Sequence, residues 1–416
     1  MKKIIIQGGN VLEGEVRISG SKNAALPIIC ASLLAKGTVT LLNCPEIEDL
    51  ENLFSILRSL GVIVKREQET ITIDASNIQD VAITHEAVSK FRASYYLMGT
   101  YLSLFQKVNI RMPGGCDLGN RPFDLHLKAF KRLNCEVQVF DDHLEIQSLR
   151  LLPAKIFFEI PSVGATINTM LASVFIEGTT TIDNAAKEPE VVDVAKFLNR
   201  MGAKITGAGT STIVIEGVQA LKGITYRIMP DRIEAGTYAL MAAAMGKEVD
   251  IIHFEPIYHN ALITKFVESG VRFRIYTNKL KVIASPVIGP IHIETSYFPG
   301  FPTDLQQPFT AVLTQARGVS TVIDHIYHKR FKNCIELNRL GAKIDVTHNR
   351  ATIYGPTPLK GGIVRATDLR GGMSLIIAGL LAHDKTVVEQ AEHIFRGYSR
   401  VIEKIRGIGG DIRLSD

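Results

Sequence analysis

Cations recur at one kind of position in this chain. Lys22 in Gly20-Ser21-Lys22-Asn23, Arg92 in Phe91-Arg92-Ala93-Ser94, Arg232 in Asp231-Arg232-Ile233-Glu234 and Arg370 in Asp368-Leu369-Arg370-Gly371 each open a stretch of small and apolar residues. Two further loops, Ser162-Val163-Gly164-Ala165 and Phe301-Pro302-Thr303-Asp304, stand at the corresponding place without one. If these stretches are helices, their first turns offer free backbone N–H groups and about half a positive charge each. A full charge added there makes a site for a small anion. A single Lys or Arg in a loop is ordinarily a solvated surface charge. The same residue type at the equivalent place in four loops of six is harder to dismiss.

A second kind of loop holds the other reactive groups. Pro113-Gly114-Gly115-Cys116-Asp117-Leu118-Gly119-Asn120-Arg121-Pro122 sets a thiol and a guanidinium among glycines, which let a backbone approach a ligand closely. Its counterparts further along hold Arg330 and Arg396. A free cysteine is usually a small buried hydrophobe, and Cys30, Cys44, Cys135 and Cys334 suit that description. Cys116, among glycines and polar residues, does not. The pairs His253/His259 and His325/His328 have metal-like spacing without an Asp/Cys cluster. No metal and no cofactor are expected.

The elements that position these loops repeat. A helical stretch with a glycine-like stop, followed by two strands, recurs at positions 61, 134, 202, 270, 341 and 409. The intervals are 73, 68, 68, 71 and 68 residues, which marks six units of about 70 residues. Each unit reads strand, helix, strand, helix, strand, strand. The small-residue helices (Ala24–Leu34, Ala93–Leu104, Ala165–Ile176, Gly236–Met245, Phe309–Ala316 and Met373–Leu381) are apolar around most of their circumference. Such helices belong inside a domain. The expected fold class is α/β (α+β), with helices inside and sheets outside.

Residues 3–20 read as a strand, a turn at Leu12-Glu13-Gly14 and a strand over Glu15–Ser19, the half-unit that the sixth repeat lacks. The expected domains are therefore 22–229, carrying the Cys116 loop, and 1–21 with 230–416. The chain would cross near Ser21 and Pro230, with the active site in the cleft between domains.

Bulk properties agree with a soluble enzyme of small molecules. The chain has 416 residues, 46% hydrophobic and 21% charged, and a net charge of +5. Its densest basic cluster, His328-Lys329-Arg330-Phe331-Lys332, is too short for a nucleic-acid arm. The apolar run from Met373 to Ala382 is about half a membrane span. Five cysteines without a CxxC pair suit a reduced compartment. A cytoplasmic monomer is expected, with no nucleic-acid partner and no membrane insertion.

Longer motifs narrow the reading. Ser19-Gly20-Ser21-Lys22-Asn23-Ala24-Ala25-Leu26-Pro27, Pro113-Gly114-Gly115-Cys116 with Gly119-Asn120-Arg121-Pro122, and Ser162-Val163-Gly164-Ala165-Thr166 occur together. So do Asn184-Ala185-Ala186 with Glu188-Pro189-Glu190, Pro230-Asp231-Arg232-Ile233-Glu234, Phe301-Pro302-Thr303-Asp304, Ala366-Thr367-Asp368-Leu369-Arg370 and Arg396-Gly397-Tyr398. On these motifs the chain resembles the UDP-N-acetylglucosamine 1-carboxyvinyltransferases, within the enolpyruvyl transferase family, over essentially its full length. The resemblance implies two inside-out α/β barrels. It implies transfer of the enolpyruvyl group of phosphoenolpyruvate to the 3′-hydroxyl of UDP-N-acetylglucosamine, the first committed step of peptidoglycan biosynthesis. Phosphate would leave by addition and elimination through a tetrahedral intermediate.

The resemblance also implies roles. Lys22, Asn23, Arg121 and Arg396 match phosphoenolpyruvate-holding positions, with Arg330 and Arg370 near the carboxylate. Asn23, Arg92, Arg121, Pro122, Phe123, Asp124, Leu125, Ser162, Val163, Gly164, Asp304 and Ile326 match nucleotide-sugar contacts. Cys116 matches the acid and Asp304 the base, and Lys22 and Arg396 complete the catalytic set. An unperturbed thiol, with a pKa of about 8.5, is mostly protonated at neutral pH and can donate. Three residues depart from the family: Ile160 where a Lys is common, Phe395 where an acid is common, and a bulky Phe123. The rival readings are a 5-enolpyruvylshikimate-3-phosphate synthase and a degenerate paralogue that only binds nucleotide sugar.

Overall fold

The computed structural model describes residues 2–114, 123–285 and 287–415. These fall into two compact units. One comprises the described residues of 20–229, the other those of 2–19 and 230–415.

In the first unit three larger sheets, and a two-stranded one of Ala35–Lys36 and Leu221–Lys222, flank a helical interior. Thr225–Arg227, Val39–Leu42, Thr70–Asp74 and Ile63–Glu67 form one, in that order. Lys155–Phe157, Thr179–Asp183, Thr212–Glu216 and Lys204–Thr206 form another. In both, the leading strand pairs in parallel and the rest antiparallel. Among the described residues the third sheet, Lys107–Arg111, His143–Gln147 and Glu136–Val139, has only a parallel bridge, Ile83 to Ile110, where a leading strand would lie.

The second unit repeats the plan with three four-stranded sheets. Their leading strands are Leu12–Arg17, His292–Glu294 and Ile363–Arg365. The N-terminal segment is shared between two of them, which corrects the sequence expectation. Lys3–Gln7 pairs antiparallel with Lys385–Glu389 and Asp411–Ser415, completing the sixth repeat. Leu12–Arg17 is one strand, with no turn at 12–14, and pairs in parallel with Gly246–Ile252 of the fourth repeat. The break falls earlier, at Gly8 and Gly9. Gly9 has φ +88°, and a Cβ on Gly8 would lie 2.0 Å from the Ala382 carbonyl oxygen.

The interior helices are buried on all sides. Every residue from Gly164 to Ser173 is buried in Val163–Ser173, and from Arg370 to Leu380 in Leu369–Leu381. Lys22–Ser32 packs on Tyr96–Phe105, which packs on Val163–Ser173. In the other unit Thr303–Leu313 packs on both Arg232–Met245 and Leu369–Leu381. Small residues permit this because helices without a solvent face must approach one another closely. The strands alternate instead: Thr180 and Ile182 point into the core, while Thr179, Thr181 and Asp183 do not.

The six repeat anchors share one backbone state. Gly61, Gly202, Gly270, Gly341 and Gly409 have φ between +72° and +116°, and Asn134 has φ +72°. These are left-handed helix stops, open to Gly and then Asn. That explains why the second repeat substitutes asparagine and keeps the spacing.

Gly20 is required for a different reason: a Cβ there would lie 1.7 Å from the Asn43 carbonyl oxygen. Gly20→Ala should cost about 1–3 kcal/mol and lower Tm by roughly 2–10 °C in a thermal scan. Gly407→Ala is the control, since nothing among the described residues lies within 4 Å of its Cβ position.

Candidate active site

The loops singled out in the sequence lie at the starts of the buried helices. Ser21 and Ser162 cap Lys22–Ser32 and Val163–Ser173, accepting from Ala24 and Ala165 N–H. Asp231 caps Arg232–Met245 through Ile233 and Glu234 N–H. Asp368 caps Leu369–Leu381 through Arg370 and Gly371 N–H. The last two ends are thus answered by carboxylates of the chain itself. In that unit the anion chemistry expected of helix starts therefore falls mainly on side chains.

The densest charge cluster is built on Asp304, in the first turn of Thr303–Leu313. Arg330 Nη1 donates to Asp304 Oδ1 at 2.6 Å. Arg370 donates to Oδ2 through Nη2 at 3.0 Å and Nε at 3.2 Å. Arg330 is held in turn by Gln307 Oε1 at 3.2 Å and Thr303 Oγ1 at 3.1 Å. Arg370 lies 5.0 Å from the Tyr398 ring, and among the described residues its buried Nη1 meets no acceptor at hydrogen-bond geometry. Burial opposes ionisation of Asp304, but the Arg330 and Arg370 guanidiniums outweigh it and hold the carboxyl far below the usual carboxylate range. Burial likewise opposes the charges of Arg330 and Arg370, and their anionic and aromatic neighbours raise both.

Asp324, which the sequence reading missed, ties Ile326 to this cluster. Its carboxylate accepts from Ile326 and Tyr327 N–H and from the Thr295 and Thr303 hydroxyls. It is completely buried. An aspartate two residues before a predicted contact was its only sequence signal.

Arg396 closes the short helix Glu392–Phe395, two residues before Tyr398. Phe395 packs against the core with the Lys2 ammonium 5.1 Å from its ring centre. Arg232 sits over the Phe298 ring at 5.8 Å, lining a cavity of about 240 Å³ with Tyr258, His259 and Pro302.

In the other unit Lys22 is ion-paired to Asp49 at 2.7 Å, both side chains largely buried. Asn23 follows it, half-buried. Arg92 stacks over Phe123 at 4.4 Å and lies 5.9 Å from the Tyr95 ring. Phe123 therefore supplies the face for a guanidinium. Tyr95 and Phe123 both meet the His126 ring edge-on, at 4.8 and 5.8 Å. Asp124 and Leu125 open Asp124–Arg132, with Asp124 exposed and Leu125 half-buried. Gly164 lies against this cluster: a Cβ there would be 2.7 Å from the Tyr95 hydroxyl and 3.0 Å from His126 Nε2. The structure so joins Arg92, Phe123 and Gly164, through Tyr95 and His126, which the sequence reading did not name. Ile160 is 54% exposed and brings no cation to Ser162 and Val163.

Cys116, Arg121 and Pro122 lie outside the described residues. The other four cysteines are buried. Burial pushes the Cys44, Cys135 and Cys334 thiols up to about 12, and Cys30 in the same direction. Of the histidine pairs, His259 stacks on Phe254 at 3.8 Å between two backbone carbonyls, and His325 meets Glu294 at 3.2 Å.

A family model described as EPSP synthase (3-phosphoshikimate 1-carboxyvinyltransferase) matches residues 6–405. The chain belongs to that family. It is 46% identical to UDP-N-acetylglucosamine 1-carboxyvinyltransferase 2 of Bacillus subtilis (strain 168), over 99% of this chain and 96% of that one. It is 47% identical to the protein of the same name in Staphylococcus aureus (strain N315), over 98% of each. Among solved structures, the enolpyruvyl transferase NikO from Streptomyces tendae matches with TM-score 0.91 and 25% identity, over 100% of this chain and 99% of that one. An EPSP synthase from Acinetobacter baumannii matches with TM-score 0.77 at 17% identity over the full length of both, which bears on the fold alone.

The Asp304 cluster sets a stability test. Asp304→Asn leaves two buried guanidiniums without their anion, so stability should fall by about 3–5 kcal/mol at pH 7. Asp304 is held below its ordinary value of about 3.9, so its contribution is complete above that pH and declines as pH falls through it. Denaturant titrations should show the wild-type advantage narrowing below about pH 4.

Proposed function

We propose that this chain is a UDP-N-acetylglucosamine 1-carboxyvinyltransferase, which moves the enolpyruvyl group of phosphoenolpyruvate to the sugar 3′-hydroxyl and releases phosphate. The observation that carries the reading is the Arg330–Asp304–Arg370 cluster, in a chain 46% identical end to end to an enzyme of that name. It pairs a carboxylate with two guanidiniums, one of which keeps a buried N–H that meets no acceptor at hydrogen-bond geometry among the described residues. Such a group suits an incoming carboxylate or phosphate. The shikimate reading is not favoured, since the relatives at 44–47% identity carry the nucleotide-sugar name.

In the proposed reaction Lys22, Asn23, Arg121 and Arg396 hold phosphoenolpyruvate, with Arg330 and Arg370 at its carboxylate. The nucleotide sugar is held by Asn23, Arg92, Arg121 to Leu125, Ser162 to Gly164, Asp304 and Ile326. The sugar oxygen attacks the carbon bearing phosphate, while Cys116 delivers a proton to the neighbouring methylene. Asp304 takes the hydroxyl proton as the C–O bond forms. The methyl group then returns a proton to the Cys116 thiolate, the bond from carbon to the phosphate oxygen breaks, and phosphate leaves with the proton that Asp304 took, stabilised by the cations.

The ion pairs constrain this scheme. A carboxylate clamped by two guanidiniums is a poor base. An anionic substrate that engages Arg330 and Arg370 loosens the clamp and returns Asp304 toward its ordinary basicity. Binding of the donor and activation of the acceptor hydroxyl are then one event. The proposed roles fall on residues of both units.

Phosphate release, measured as free phosphate, should require phosphoenolpyruvate and UDP-N-acetylglucosamine together. Shikimate 3-phosphate in place of the nucleotide sugar should give none. Lys22→Ala and Arg396→Ala should each lower kcat by at least about 100-fold, as loss of a transition-state donor does. Arg232→Ala, beside the Asp231 cap, should cost less. Turnover near wild type in both cage variants would refute the assignment.

A second test addresses the thiol. Fosfomycin, with a phosphonate for the cations and an epoxide for the sulfur, should alkylate Cys116. The four described cysteines are buried with raised thiols, so mass spectrometry should find one adduct, on the Cys116 peptide. Cys116→Asp should keep part of the activity and lose the inactivation. An adduct on Cys30, Cys44, Cys135 or Cys334 would place the acid elsewhere.

A further inference from the structure

The hydroxyl of Tyr398 is a buried polar group that the scheme above leaves unused. Tyr398 is 1% exposed, and its Oη lies 2.9 Å from Thr237 Oγ1. That distance alone does not say which of the two donates, but the backbone does. Thr237 Oγ1 also lies 2.7 Å from the Ile233 carbonyl oxygen, one turn earlier in Arg232–Met245. A carbonyl oxygen only accepts, so the single Thr237 hydroxyl proton goes there. Toward Tyr398 the threonine oxygen has only lone pairs, and the phenol donates to it. Burial raises the Tyr398 phenol above its ordinary value against the pull of Arg370 and Thr237, which keeps that proton in place. With its one proton committed, the phenol oxygen can only accept from any further neighbour.

That neighbour is Arg370. Its guanidinium carbon lies 5.0 Å from the centre of the Tyr398 ring. Nε and Nη2 donate to Asp304, while Nη1 is buried and among the described residues meets no acceptor at hydrogen-bond geometry. Burial opposes the Arg370 charge, and of the groups that support it Tyr398 comes first, ahead of Asp304, partly through a hydrogen bond. Arg330 is treated alike. Thr303 Oγ1 donates at 2.6 Å to the Asp324 carboxylate, which only accepts, and so receives Arg330 Nη1–H at 3.1 Å on a lone pair. Each guanidinium thus has beside it a hydroxyl oxygen whose proton is committed elsewhere. A neutral acceptor of that kind orients a cation and leaves its charge available, whereas a carboxylate cancels it.

We propose that Tyr398 is a positioning residue for the reaction, whose phenol oxygen, oriented by Thr237, holds the Arg370 guanidinium ready for the carboxylate of phosphoenolpyruvate. The proposal rests on the reading of Arg330 and Arg370 as the contacts of that carboxylate. In the scheme above Arg370 gives up Asp304 as the substrate anion arrives. A guanidinium anchored to Asp304 alone would lose its place at that moment. The Tyr398 contact persists through the exchange, so the cation changes partners without changing position. The cation is then ordered on folding rather than on binding, which favours affinity.

Binding to the full chain, with UDP-N-acetylglucosamine present, tests this apart from turnover. Phosphoglycolate carries a phosphate and a carboxylate, and inorganic phosphate carries only the first. Tyr398→Phe keeps the ring, removes the oxygen and strands no proton, since Thr237 still donates to Ile233. Calorimetry should show phosphoglycolate weakened about 10- to 100-fold, as loss of one hydrogen bond to a charged group predicts, and inorganic phosphate within about twofold. In turnover, KM for phosphoenolpyruvate should rise by a similar factor while KM for UDP-N-acetylglucosamine stays within about twofold. Damage to the fold alone would lower the active fraction, and with it kcat, and leave both KM values unchanged.

Thr237 supplies the second pair of variants. Thr237→Val is nearly isosteric but leaves the phenol proton without its acceptor, free to turn toward Arg370. Phosphoglycolate affinity and KM for phosphoenolpyruvate should then move as they do in Tyr398→Phe. Thr237→Ser keeps the hydroxyl and should stay within about threefold of wild type in both. Unchanged phosphoglycolate affinity in Tyr398→Phe, an equal penalty on phosphoglycolate and phosphate, or a loss in kcat alone overturns the proposal. If Tyr398→Phe fails to fold, the contrast between Thr237→Val and Thr237→Ser decides by the same measurements. Selective loss of phosphoglycolate in a protein whose wild type releases no phosphate would sink the proposed reaction and leave the positioning role standing.

Discussion

A helix buried on every side can present chemistry only at its ends, and the interior helices of both units are of this kind. Val163–Ser173 and Leu369–Leu381 expose almost nothing along their length. Their first turns nonetheless carry N–H groups that need acceptors. The chain meets that need in two ways. In one unit Asp231 and Asp368 supply carboxylates. In the other, Ser21 and Ser162 supply hydroxyls, which satisfy a donor without themselves adding negative charge. The same packing rule thus yields two different electrostatic settings.

Charge is handled with matching economy. Lys22 is answered by Asp49, and Arg330 and Arg370 by Asp304. A guanidinium as buried as Arg370 could not persist without an anion nearby, because desolvating an unpaired charge costs several kcal/mol. These pairs therefore stabilise the protein and hold cations in position for an external anion. They also hold Asp304 in a state in which it is a weak base. Stability in the absence of ligand and readiness for proton transfer are opposed at one carboxylate.

The aromatic cluster works through shape and orientation. Phe123 offers its face to Arg92, and Tyr95 and His126 pack edge-on around it. Asn168 reads two backbone groups, Gly99 N–H and Tyr95 C=O, and transmits that orientation to His126. Buried polar groups of this kind gain when every partner is met, because the low-dielectric surroundings strengthen each contact.

Much of this was legible in the sequence. The six repeats could be read because their stops demand left-handed backbone, which only Gly and Asn supply readily, and those letters recur at even spacing. The interior helices could be read because a helix apolar all round has one place to go. Lys22, Asp304, Arg370 and Arg396 could be named because they stand in distinctive motifs, and Arg330 because it stands at the counterpart of the glycine-rich loop. The strand Leu12–Arg17 could not be assigned, since its partner Gly246–Ile252 is more than 200 residues away and parallel pairing leaves no local signature. Nor could Asp324, His126 and Asn168, single polar letters whose partners come from elsewhere in the chain. Sequence determined the repeats and the reactive residue types, because local backbone and hydrophobic period act over a few residues. Tertiary structure alone decided which cation meets which carboxylate and which buried hydroxyl is left to accept, because those depend on distances between segments that no local pattern encodes.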